Sequence, residues 1–250
     1  MCGRYVARRD AGDLVSEFEA ADLLTEPLLA DYNVAPTDPV PVVLTRHRPG
    51  DGAGRVARPV GRQLRLARWG LVPSWAPDTR RAGKLINARA ETVTELPAFR
   101  SAVRRRRCLV PADGWYEWPP RPGGAGRQPT YLTPLSGEVL ALAGLYEIWG
   151  PDRLLTSSIV TTAAAGRLAD VHSRMPLMLP RRSWAAWLDP AREEVAELLA
   201  PDPELVAGME LRPVGPAVGS VGNDGPGLVE RVRVDPLTGL PADEAAPTLF

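Results

Sequence analysis

The sequence has few of the residues that most often hold metals or form covalent intermediates. Among 250 residues there are two cysteines, Cys2 and Cys108, two histidines, His47 and His172, and a single lysine, Lys84. A structural zinc site needs about four such ligands at short, regular spacings, and no such spacing occurs in this sequence. We therefore predict neither a metal site nor a bound cofactor.

Long apolar stretches are also missing. No segment approaches the roughly 20 consecutive apolar residues that a membrane-spanning helix needs. Near the start, Arg4, Arg8 and Asp10 interrupt the apolar run that a secretory signal peptide would require. We therefore expect a cytoplasmic protein without a membrane partner. In that compartment, two cysteines are more simply two thiols than a disulfide.

The sequence lacks net charge as well, since its 30 basic residues balance its 30 acidic ones. This balance argues against a protein that binds polyanions over its whole surface. The charges are unevenly distributed, however. From Ala200 onward three arginines face eight acids, a net of −5, which leaves +5 on the first 199 residues. All basic residues except Lys84 are arginines, whose forked guanidinium suits phosphate oxygens, so a local phosphate-binding face stays open.

Apolar residues make up 44 % of the chain, which is enough to form a core. Short or alternating apolar runs predict mainly antiparallel strands, and two segments with helical spacing predict helices. The strands are expected within residues 32–45, 62–75 and 106–160, and the helices at 13–24 and 181–200, the latter broken after Asp189. The sequence therefore predicts a strand-dominated α+β protein.

Three further predictions concern boundaries and loops. We expect one domain over residues 2–232 and a disordered tail at 233–250, because the tail is rich in proline and acidic residues. The segment 121–127 is expected to form a flexible hairpin tip, and His47 to lie in a loop. The four arginines at 104–107 are expected at a solvated edge.

Cys2 directly follows the initiator methionine, in the opening stretch MCGRY. A cysteine is small enough for Met1 to be removed, which would leave a free α-amine beside the thiol. The amine can form a Schiff base with an aldehyde, and the thiol can then close a five-membered thiazolidine ring on the same carbon. Both groups have pKa values near ~8 to ~8.5, so they need a proton acceptor at neutral pH. The alternative is an arbitrary second residue in a frayed terminus.

Three other segments place polar groups among neighbouring side chains that would fix their orientation: INARAET, DGWYEW and HSRMP. Glu117 is either a surface residue or a partly desolvated acid that accepts a proton from the amine. His172 is either structural or the acid that opens a closed sugar hemiacetal. Asn87 and Arg89 either project from one strand face toward a ligand, or Asn87 caps a helix.

Six motifs follow one another along the chain: MCGRY, YNVAP, WG with PSW, INARAET, DGWYEW and HSRMP. In this order and at these spacings they resemble the SRAP family, the SOS-response-associated peptidases understood as abasic-site processing proteins. The resemblance runs from Cys2 to about residue 230. It implies a single domain of barrel-like antiparallel sheets with a few flanking helices, which binds single-stranded DNA and captures an abasic deoxyribose.

The resemblance also implies roles for individual residues. Cys2 is the nucleophile through both amine and thiol, and Asn87 positions the N-terminus or the sugar. Glu117 transfers a proton at the amine, and His172 assists ring opening. Contacts to DNA phosphates or stacking near the lesion are implied for four residues: Arg4, Arg89, Arg174 and Trp75. The implied protein is a monomer that is nucleoid-associated when bound to DNA, with lyase and autopeptidase reactions at the same site.

Three other functions stay open. An N-terminal-nucleophile hydrolase similar to the glutamine amidotransferases would use Cys2 to hydrolyse an amide. A conventional lyase would use Lys84 as the Schiff-base amine. A plain single-strand binding module would form no covalent product.

Overall fold

Antiparallel strands dominate the computed structural model, which describes residues 2–47, 59–80, 82–121 and 126–234. The few helices are short and flank the sheets. The predicted fold class, a strand-dominated α+β protein with barrel-like antiparallel sheets, is confirmed. Met1, residues 122–125 of the hairpin tip and residues 235–250 of the tail lie outside the described residues, so the predictions made for them stay predictions.

Most of the elements along the chain are strands, and a few short helices lie between groups of them. The strands are β1 Tyr5–Ala7, β2 Ala21–Asp22, β3 Asp31–Val34, β4 Pro39–His47, β5 Pro59–Trp69, β6 Asn87–Arg89, β7 Arg107–Ala112, β8 Gly114–Glu117, β9 Thr130–Pro134, β10 Leu140–Trp149, β11 Leu154–Ala163, β12 Arg174–Pro176 and β13 Met209–Pro213. The α-helices are α1 Ala11–Phe18, α2 Arg100–Arg105, α3 Arg181–Leu188 and α4 Pro203–Ala207.

These strands form two sheets. The smaller has the order β13-β9-β8-β1-β3, and the larger has the order β12-β11-β10-β7-β4-β5-β2, with β6 paired in parallel to β11. β1 lies inside the smaller sheet, between β3 and β8, and is antiparallel to both. Because strands flank β1 on both sides, the residues that lead into it are held in place.

The two sheets pack face to face over a shared apolar cluster. Both sheets contribute to it: Tyr5, Trp115 and Leu132 come from the smaller sheet, and Trp69, Cys108 and Ile159 from the larger. The Tyr5 ring meets Trp69 edge-on at 5.1 Å between ring centroids. A second cluster covers the other face of the larger sheet, where α1, α2 and α3 pack. The site residues described below are attached to the first cluster.

Both predicted helices were too long. The first begins at Ala11 and ends at Phe18, because Glu19 adopts a left-handed conformation with φ 50°. The next residues then extend as β2, which pairs with β5. The second helix ends at Leu188, next to the predicted break. The rest of the predicted range, up to residue 200, forms only a 3-10 turn at Ala196–Leu198. Among the described helices none is long and apolar enough to cross a membrane.

One other local prediction was wrong, and one was correct only in part. His47 is the last residue of β4 rather than part of a loop. Arg104 and Arg105 are exposed as expected, but Arg107, the last of the four arginines, is only 3 % exposed. Its guanidinium donates to several backbone carbonyls, including those of Val103 and Trp187, and burial lowers its pKa to about 10. The apolar stem of an arginine can be buried when its polar head finds such partners.

Candidate active site

Cys2 lies just before β1, and its side chain is fully buried in the cluster between the sheets. Burial is the main cause that raises the pKa of this thiol, and the negative charge of Glu117 raises it further. The alternative of a frayed terminus is therefore wrong. Both cysteines are free thiols.

Asn87 contacts the backbone of Cys2 directly. It begins β6, and its Nδ2 donates to the Cys2 carbonyl at 2.7 Å. Its Oδ1 is buried and has no hydrogen-bond partner among the described residues. The preceding peptide is fixed by Trp69, whose indole N–H donates to the Ile86 carbonyl at 3.0 Å. The alternative of a helix cap is wrong, since turns rather than a helix follow β6.

Glu117 ends β8, the strand beside β1. The antiparallel register brings this end of β8 next to the residues that precede Tyr5. Successive strand residues alternate in direction, so Glu117 shares a face with Trp115, which belongs to the cluster between the sheets. Only 4 % of Glu117 is exposed. Burial raises the pKa of its carboxyl, although the positive charge of His172 acts in the opposite direction. It is therefore a desolvated acid beside Cys2, not a surface residue.

His172 lies just before β12, in a turn that fixes its ring. The backbone N–H of Arg174 donates to Nδ1 at 2.8 Å. The Arg174 carbonyl oxygen also lies 3.0 Å from Nδ1, so these contacts fix the orientation of the ring without assigning its proton to either nitrogen. β12 and β6 pair with the same end of β11, so the segment of His172 lies beside the segment that carries Asn87. Asn87 contacts Cys2 directly, and the register of β8 on β1 places Glu117 next to the residues that precede Tyr5.

Two of the predicted DNA contacts lie open at the surface. Trp75 is 67 % exposed, in the turn that follows β5. Trp149 holds this turn by donating from its indole N–H to the Ala76 carbonyl at 2.7 Å. Arg89 is exposed at the end of β6, and its side chain makes no hydrogen bond or ion pair with any residue that the structure describes. Both side chains are available to a ligand.

The other two predicted contacts are engaged within the protein. Arg4 donates to Asn33 Oδ1 at 2.6 Å and to the Val218 carbonyl at 3.1 Å, and partial burial lowers the pKa of its guanidinium. Arg174 donates to both carboxylate oxygens of Glu91, at 2.6 and 2.9 Å. A phosphate contact by either arginine stays a prediction.

Two further residues hold the site together, and neither was predicted from the sequence. Trp69 braces the peptide before Asn87, and the Thr161 carbonyl on β11 accepts from Ala90 N–H at 2.8 Å and from Arg174 Nη2 at 2.6 Å. Thr161 thereby joins the segments that carry Asn87 and His172. The period-2 pattern of a strand carries no signal for such contacts. Within the described ranges, no three His, Cys, Asp or Glu side chains are grouped to hold a metal ion.

Fold and site together define a class of protein: a strand-rich α+β domain whose second residue is a buried cysteine surrounded by an amide, a desolvated carboxyl and an imidazole. The family model described as SOS response associated peptidase (SRAP) matches residues 1–221. The chain belongs to this family, as the six motifs predicted.

Individual relatives agree with this assignment. The abasic site processing protein YoqW of Bacillus subtilis (strain 168) is 34 % identical over 238 residues, which cover 92 % of this chain and 99 % of YoqW. The abasic site processing protein HMCES of Rattus norvegicus is 30 % identical, over 78 % of this chain and 63 % of HMCES. A crystal structure of a Bacteroides thetaiotaomicron protein matches with a TM-score of 0.77 at 24 % identity, covering 93 % of this chain and 100 % of that one, and shows the fold alone.

Proposed function

We propose that this protein captures abasic sites in single-stranded DNA as a covalent thiazolidine crosslink on Cys2. The observation that carries the proposal is the burial of Cys2 with Asn87 hydrogen-bonded to its carbonyl and the buried Glu117 at the adjoining end of β8. Relatives named abasic site processing proteins support abasic DNA as the substrate. The protein acts in the cytoplasm as a monomer.

The reaction begins once Met1 has been removed and Cys2 carries a free α-amine. Glu117 accepts a proton from the ammonium group, and the amine adds to the aldehyde carbon of the open sugar. Loss of one water gives the Schiff base. The thiol then adds to the same carbon, its proton passes to the nitrogen, and the ring closes. In sum, one C–N and one C–S bond form and one water leaves.

The neighbouring groups prepare the sugar and the nucleophile for this reaction. An abasic sugar rests as a closed hemiacetal, and we assign His172, as the imidazolium, to protonate the ring oxygen while the C–O ring bond breaks and the anomeric hydroxyl gives its proton to water. The hydrogen bond from Asn87 fixes the Cys2 carbonyl, so that amine and thiol are both aimed at one carbon.

In this proposal the DNA strand lies outside the buried site that holds Cys2. Trp75 offers an exposed ring for stacking, and Arg89 offers an exposed guanidinium for a phosphate. Arg4 and Arg174 add phosphate contacts closer to Cys2. The Schiff base also permits strand cleavage by β-elimination, and removal of Met1 by the protein itself is the peptidase reaction that we assign to this site.

Crosslinking to an oligonucleotide with one abasic site tests the proposal. On a denaturing gel, the wild type is expected to give a heat-stable protein–DNA adduct and Cys2→Ala none, because the variant lacks the thiol that closes the ring. Lys84→Ala is the matched control, since Lys84 is an exposed residue of a 3-10 turn and is expected to leave the adduct unchanged.

Other outcomes would favour the alternatives. An adduct that disappears in Lys84→Ala would support a lyase that uses this lysine as its Schiff-base amine. Binding without any covalent product would support a plain single-strand binding module. Glutamine hydrolysis without an adduct would support an N-terminal-nucleophile hydrolase.

A further inference from the structure

Arg174 already has an anionic partner where the proposed function requires a phosphate. Nη1 and Nη2 donate to the two carboxylate oxygens of Glu91, and Nη2 also donates to the Thr161 carbonyl at 2.6 Å. Nε is buried, with no partner among the residues described. The Arg174 side chain is only 17 % exposed, whereas that of Glu91 is 49 % exposed. The two Nη groups that would bind a phosphate are therefore already hydrogen-bonded to Glu91.

A carboxylate and a phosphate present the same chemistry to a guanidinium, namely two oxygens and a negative charge. A phosphate can therefore bind Arg174 through both Nη atoms only if it displaces Glu91. We propose that Glu91 competes with DNA phosphate for Arg174 and thereby sets the affinity of the protein for the strand. This inference rests on the proposed function, because that function is what assigns Arg174 to the DNA.

The position of Glu91 supports this competition. Glu91 follows β6 by two residues, Arg174 begins β12, and both strands pair with the same end of β11. The hydrogen bond from Arg174 is the main cause that lowers the pKa of Glu91, so the carboxylate is charged at neutral pH. Arg89, two residues before Glu91, is exposed, and its side chain makes no hydrogen bond or ion pair with the residues that the structure describes. A single-stranded DNA bound by Arg89 brings its phosphates near the Glu91 carboxylate.

The test measures binding of an undamaged single-stranded oligonucleotide, so that no crosslink forms. Fluorescence anisotropy over a range of salt concentrations gives Kd and its salt dependence for the wild type, Glu91→Gln and Glu95→Gln. Glu95 is the matched control, an exposed glutamate in the same series of turns that makes no hydrogen bond or ion pair with Arg174.

Glu91→Gln is expected to bind about two- to fivefold more tightly, the equilibrium equivalent of losing a partly exposed ion pair. The slope of log K against log salt should steepen by about 0.7, the value for one further phosphate contact. Glu95→Gln should change binding less.

A double-mutant cycle shows whether the gain passes through Arg174. In an Arg174→Gln background, Glu91→Gln should improve binding no more than Glu95→Gln does. A gain of equal size with and without Arg174, or weaker binding of Glu91→Gln alone, would overturn the inference. Melting curves confirm that the variants fold. A wild type that binds undamaged DNA but never crosslinks abasic DNA would refute the proposed function without affecting this comparison.

Discussion

At the residue scale, the surroundings of Cys2 favour the amine as the first nucleophile. Burial and the charge of Glu117 both raise the pKa of the thiol, so the sulfur is protonated at neutral pH. A protonated thiol is a weak nucleophile, whereas a neighbouring carboxylate can deprotonate the α-amine. The order of the proposed steps, Schiff base first and ring closure second, follows from this difference.

Glu117→Gln provides a prediction at this scale. Burial raises the folded-state pKa of Glu117 above the ordinary value of 4.5, so the folded state holds this proton more tightly than the unfolded state. Below that ordinary value the carboxyl is protonated in both states, so it does not lower the free energy of unfolding. As pH rises above it, the unfolded state ionises first and the wild type loses stability. Glu117→Gln should therefore melt at a higher temperature than the wild type at pH 7, with no difference below pH 4.5.

The same variant should crosslink abasic DNA about a hundredfold more slowly, since it lacks the proton acceptor. Melting curves across pH and adduct time courses measure the two effects. A variant that melts below the wild type at pH 7 and crosslinks at the normal rate would show that Glu117 is a structural residue.

At the element scale, the site depends on how closely β8 packs beside β9. Gly114 begins β8, and a Cβ atom on this residue would lie 2.3 Å from the Leu132 carbonyl oxygen and 2.6 Å from the Tyr131 ring. Gly114→Ala should therefore lower the free energy of unfolding by about 1–3 kcal/mol, the usual effect of overpacking. It should also slow crosslinking, because Glu117 lies on the same strand. Urea titration and adduct time courses measure both effects.

Gly61→Ala is the control for this prediction. Gly61 lies on β5, and nothing within 4 Å would meet an added Cβ. The change should stay within about 0.5 kcal/mol, as for an ordinary surface substitution. Equal destabilisation by both substitutions would mean that the loss of glycine, rather than the contact with β9, is responsible.

The sequence predicted the elements and the site with unequal success. Alternation of apolar residues predicted β5, and the aromatic residues around Glu117 indicated a desolvated acid as one of two alternatives. The burial that decides between those alternatives comes from β1, far away in sequence. Arg107 is charged and belongs to a basic run, so no local pattern indicates that carbonyls at the end of α3 and beyond it will accept from its guanidinium. The early end of α1 depends on the pairing of β2 with β5, which is also a tertiary effect.

At the scale of the whole molecule, the segment after β13 is an integral part of the domain. Asn33 donates to the carbonyls of Ser220 and Asn223, both at 2.9 Å, while Arg4 reaches the Val218 carbonyl. Leu228 packs in a buried cluster on the outer face of the smaller sheet. The matched family region ends at residue 221, yet these contacts extend beyond it. The segment therefore fixes the side of β1 that leads to Cys2.

Truncation tests this role. Removing residues 214–250 should lower the free energy of unfolding by at least about 3 kcal/mol, because buried side chains such as Leu228 and Val218 are lost. Removing residues 235–250 deletes none of these contacts and should lower it much less. Chemical unfolding of both truncated proteins provides the measurement. Equal losses would show that the segment 214–234 adds nothing to the fold.

In the proposed reaction Cys2 alone supplies both bonds to the abasic sugar, and intact-mass spectrometry measures this outcome. Protein without Met1 is incubated with an abasic oligonucleotide, and the mass of the product is determined before and after treatment with borohydride and the site of attachment is mapped by peptide. A thiazolidine on Cys2 gives the summed mass minus one water, no uptake of hydrogen from borohydride because the ring is closed, and attachment at Cys2. A product that borohydride reduces, one attached at Lys84, or one formed equally well by protein that retains Met1 would refute the proposed reaction.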